Sequence, residues 1–87
     1  MESYDALYQK AIRVIEADEL PESINDLLIK YLNEEPLSEK ENTALQNYYC
    51  FRSQLLASAK SDTEFSDKIK KLRIIANFTP WKGFLNA

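Results

Sequence analysis

A single glycine, Gly83, serves the whole 87-residue chain, and only three prolines accompany it. Sandwiches and barrels turn every few residues and place glycine and proline at those turns, so this chain is directed toward long helices instead. With 45% hydrophobic and 29% charged residues it can bury one small core. No length remains for a second, and one all-α domain over residues 1–87 is expected.

Periodicity supplies the elements. Across residues 3–18, Tyr4, Leu7, Tyr8, Ala11, Ile12, Val14 and Ile15 fall within an arc of about 160° at helical spacing. The Leu20-Pro21 step breaks that pattern, and Pro21 suits the first turn of a second helix over 21–34. Its predicted core face is Ile24, Leu27, Leu28, Tyr31 and Leu32, with Ile29 off that face and Pro36 beyond the end. Two Ser-x-x-Glu capping boxes, Ser38 to Glu41 and Ser61 to Glu64, open a third helix over 38–60 and a fourth over 62–78. Thr79-Pro80 closes the last one. The predicted fold is a four-helix, bundle-like domain with a short apolar tail over 79–87.

The chain has no histidine and one cysteine, which excludes Ser-His and Cys-His nucleophile systems and zinc sites built on those residues. A Gly-rich phosphate cradle cannot be built from one glycine. The expectation is a protein that is not an enzyme, with no cofactor and no metal. A lone cysteine cannot close an internal disulfide, and Met1-Glu2-Ser3-Tyr4-Asp5 has neither the basic opening nor the apolar run of a signal peptide. A cytoplasmic location with no membrane partner is therefore expected; the longest apolar runs are far short of the roughly 20 residues that span a bilayer.

The net charge of -3 conceals a division. Residues 1–44 hold 11 acids and 4 bases, whereas 45–87 hold 3 acids and 7 bases. Acidic first and second helices packing beside a basic fourth would use this asymmetry internally. Lys68, Lys70, Lys71 and Arg73 offer a different use, as a nucleic-acid surface. On a helical projection, however, they flank the stripe of Phe65, Ile69, Leu72 and Ala76 on both sides, as snorkelling side chains do. A pI of about 4.9 weighs further against phosphate binding. A nucleic-acid-associated protein using the basic fourth helix is the alternative reading.

From Asn42 to Ala59 the only charge is Arg52, where the chain's 29% would give about five. The side opposite the core carries Gln46, Asn47, Cys50 and Gln54 among small uncharged residues. Charge depletion with retained hydrogen-bonding groups characterises the centre of a protein interface. A third helix covered on several sides by the others would show the same composition. Arg52 itself projects into the apolar arc, so burial beside a carboxylate of the first or second helix is expected, with an anion- or partner-binding arginine as the alternative. Cys50 projects outward, with no neighbouring base to activate it.

Trp81, Phe84 and Leu85 make the tail too apolar to be idle. Ile74 and Phe78 project from the fourth helix toward the same region. The tail is expected to reverse at Gly83 and bury Trp81 against Ile74, Phe78 or the turn between the second and third helices, unless these residues form a docking surface. The overall reading is a small protein-binding regulator, adaptor or inhibitor whose partner is another protein or a second copy meeting the third helix. In size and acidity the chain is similar to the broad group of small helical immunity and phage-inhibitor proteins. The partner-binding candidates are Gln46, Asn47, Cys50, Arg52, Gln54, Ile74, Phe78, Trp81 and Phe84.

Overall fold

The computed structural model describes residues 3–19 and 21–85. Its elements are α1 (Tyr4–Glu16), α2 (Ile24–Leu32), α3 (Glu39–Ala57), α4 (Asp62–Phe78) and a terminal 3₁₀ turn (Trp81–Phe84). The fold is all-α, and no strand occurs among the described residues. Of the expected tail, residues 86 and 87 lie outside the described residues.

Serine opens every α-helix. Ser3, Ser23, Ser38 and Ser61 each sit in extended backbone and accept a hydrogen bond from the backbone N–H three residues on, satisfying one orphan donor of the first turn. α4 has the predicted bounds. α2 starts three residues later than the proline suggests, because Ser23 and Asp26 form a reciprocal capping box: the Asp26 carboxylate accepts from the Ser23 N–H at 2.8 Å.

α1 and α2 both stop two residues short of expectation, by one mechanism. After α1, the Glu19 N–H donates to Val14 O and the Asp18 N–H to Ile15 O; after α2, the Glu35 N–H donates to Lys30 O and the Glu34 N–H to Tyr31 O. These paired bonds are Schellman closures, which require a left-handed residue where glycine is usual. A chain with its glycine elsewhere uses Asp18 at φ 54° and Glu34 at φ 59° instead.

α1 packs mainly on α4, α2 on both α3 and α4, and α3 on the terminal 3₁₀ turn. The main core joins Leu7 of α1, Ile24 and Leu27 of α2, Ala44, Leu45, Tyr48 and Phe51 of α3, Leu72 and Ile75 of α4, and Phe84. Acidic α1 and α2 thus lie beside basic α4. The ion pairs of Lys30 with Glu22 and Glu41, Lys68 with Glu64, and Lys71 with Asp67 nevertheless each join residues of the same half. Lys71 reaches across to α1 differently, sitting 5.4 Å from the Tyr8 ring centroid.

The tail docks, with a different anchor from the one predicted. Phe84 is fully buried, while Trp81 is only half-buried. The reversal occurs at Thr79-Pro80 instead of Gly83, which lies within the 3₁₀ turn and has no positive φ. Pro80 pairs with Ser23 in an isolated antiparallel bridge, and the Trp81 N–H donates to Glu22 O at 3.0 Å. The tail therefore lies against α3 and the start of α2.

Candidate functional site

Three surface features emerge from this packing. The first is the outer face of α3. Gln46, Cys50, Ser53, Gln54 and Ala57 are all exposed, so the other helices leave this side uncovered. Gln54 Nε2 donates to Cys50 Sγ at 3.6 Å, a contact within the face itself. Asn47 departs from the expected group: its Nδ2 donates to the Phe84 carbonyl at 2.6 Å, which ties α3 to the tail. Phe84 likewise leaves the set of partner anchors because it is core. Ile74 and Phe78 are half-buried.

The second feature is the exposed end of α2. Ile29, Tyr31 and Leu32 are 48%, 62% and 68% exposed, although Tyr31 and Leu32 belong to the predicted core face. Their angle on the helix is correct, but the buried positions Ile24 and Leu27 occupy its first half and the last turn runs beyond that packing. Tyr31 and Leu32 share a shallow surface depression with Glu34 and Glu35, the residues of the Schellman closure. Apolar side chains rimmed by acids result.

The third is a cleft of about 470 Å³ between α2, α3 and α4. Ile24, Asn25 and Leu28 line it from α2, Tyr48, Tyr49 and Arg52 from α3, and Arg73, Ala76 and Asn77 from α4. This corrects the placement of Arg52, which is exposed and has no ion pair among the described residues. Helical projection fixes its angle within the α3 apolar arc, yet α2 and α4 leave an opening over α3 there. Arg73 is exposed and equally without an ion pair. Burial pushes the Tyr48 hydroxyl above its ordinary value of 10.0, while the charge of Arg52 acts in the opposite direction. Arg52→Ala should accordingly change stability by less than about 0.5 kcal/mol in denaturant unfolding. A loss of several kcal/mol would instead require a buried ion pair.

Lys68 and Lys71 of α4 have local uses. Lys68 Nζ lies 3.2 Å from Glu64, donates to Ser58 Oγ at 2.8 Å and reaches Leu55 O at 3.5 Å, which places a cation at the C-terminal end of α3. Lys71 is paired with Asp67 at 3.3 Å.

No family model, no curated protein and no solved structure matches this chain. No helix among the described residues is long and apolar enough to cross a membrane.

Proposed function

We propose that this chain is a non-enzymatic protein-binding module, a small cytoplasmic regulator, adaptor or inhibitor that acts through the outer face of α3. The observation that carries this reading is that the face is both exposed and uncharged. An exposed helical surface gains solubility from charge and loses nothing by carrying it, whereas a surface that must shed water against a partner avoids the desolvation cost of charges. Amides and small side chains at Gln46, Cys50, Ser53 and Gln54 keep hydrogen-bonding capacity without that cost. The nucleic-acid alternative draws less support, because Lys68 and Lys71 are engaged within the fold.

Gln46→Glu and Gln54→Glu introduce charge at exposed positions, so helical content and unfolding midpoint should stay within experimental error of the parent. Retention of a protein partner on the immobilised chain should fall tenfold or more, a change of about 1.4 kcal/mol. Unchanged retention by both folded variants would place the binding surface elsewhere.

A further inference from the structure

The cleft and the exposed end of α2 have opposite charges and adjoin the same helix. At 100° per residue, Asn25, Leu28, Ile29 and Leu32 share a face about 100° wide, which runs from the cleft to the helix end. One end of this face is basic, with Arg52 and Arg73 beside Asn25 and without an ion pair among the described residues. The other is acidic, with Glu34 and Glu35 beside Leu32 and no ion pair for either among the described residues. Asn25 and Leu32 are separated by a rise of about 10 Å, so the two ends are distinct.

Such a face is complementary to itself in one orientation. Placed parallel, two copies would set arginine against arginine and glutamate against glutamate; placed antiparallel, each basic end meets an acidic one. We propose that two copies of this chain pair about a two-fold axis through antiparallel α2 helices, the Arg52–Arg73 cleft of each copy receiving Leu32, Glu34 and Glu35 of the other. Ile29 lies near the axis and meets its own counterpart, which covers the exposed apolar surface of α2. The contact is isologous and closes at two copies, so it does not propagate into filaments. It uses a face separate from the outer side of α3 and goes beyond the binding function assigned there.

Sedimentation equilibrium on the full chain provides the test. The parent protein should sediment at twice its 10.1 kDa chain mass. The variant Arg52→Glu with Arg73→Glu, and the variant Glu34→Arg with Glu35→Arg, should each weaken self-association at least tenfold. An equimolar mixture of the two should restore the dimer as a heterodimer, because every contact then joins opposite charges again. If circular dichroism shows either variant to be misfolded, Leu32→Lys serves in its place, and it too should give a monomer. A parent chain that stays monomeric up to about 1 mM overturns the proposal, that being the weak end of specific association. A dimer that survives both charge reversals also overturns it; its loss on Gln54→Glu would assign the contact to α3, whereas the binding reading for α3 fails only if Gln46→Glu and Gln54→Glu both keep the partner.

Discussion

Phe84→Ala is expected to lower stability by about 3 to 5 kcal/mol, the cost of truncating a fully buried aromatic side chain. The Phe84 ring stands nearly perpendicular to Tyr48 at 5.5 Å between centroids and lies 6.1 Å from Phe51, so its removal leaves two α3 aromatics facing a void. Its carbonyl accepts the Asn47 amide, and loosening of the tail would strand that donor as well. A domain of this size has on the order of 5 to 10 kcal/mol in total, so this single side chain, next to the last described residue, accounts for a large part of it. Chemical denaturation measures the loss. Trp81, the only tryptophan, reports its cause: in the variant its emission should shift to longer wavelength and become more accessible to iodide. A cost below about 1 kcal/mol would mean that the tail adds surface contact without belonging to the core.

This anchor was not legible in the sequence because its register is set from a distance. Composition shows that Trp81, Phe84 and Leu85 must cover something, and they do. It does not say which of them faces inward, because a short 3₁₀ turn sets that register at three residues per turn and its starting point depends on the Ser23–Pro80 bridge across the molecule. Local signals were reliable wherever the determinant is local. The Ser38 box and the Ser61 cap mark the starts of α3 and α4, although the Glu64 carboxylate accepts from the Lys60 N–H and leaves the second box unclosed, and Thr79-Pro80 marks the end of α4. Ser23 and Asp26 offered an equally local signal for α2 that Pro21 obscured. The ends of α1 and α2 had no such marker, since Asp18 and Glu34 occupy a conformation that glycine would have announced.

Arg52, Tyr31 and Leu32 fail for a different reason. A helical projection gives the direction of a side chain around its axis but no height along it, and burial depends on both. Arg52 points toward the core at a level where α2 and α4 part, while Tyr31 and Leu32 point correctly from a turn that outruns its neighbours. The charge-poor outer face of α3 was legible because it is continuous in one helix. The cleft joins residues from 24 to 77 in three helices, and no stretch of sequence contains it.

The same long-range dependence makes Thr79→Val the second informative substitution, with an expected loss of about 1 to 3 kcal/mol. Thr79 is fully buried, and its Oγ1 donates to the Leu7 carbonyl at 2.9 Å, joining the end of α4 to the middle of α1. Valine keeps the shape and both branches at Cβ but replaces the hydroxyl by a methyl that cannot donate. The carbonyl of Leu7 then loses its second partner in a site closed to water. Thr79→Ser supplies the contrast, because it retains the donor and gives up only one methyl, worth about 0.8 kcal/mol. If the hydrogen bond holds the seam, valine costs more than serine; the reverse order would assign the seam to packing. Thr79 also directs the chain into Pro80, so slackening there should reach the bridge to Ser23 and the bond from Trp81 to Glu22. Hydrogen exchange at the Trp81 amide should then accelerate in the valine variant and stay near the parent rate in the serine variant, which separates loss of the α1–α4 link from a general fall in stability.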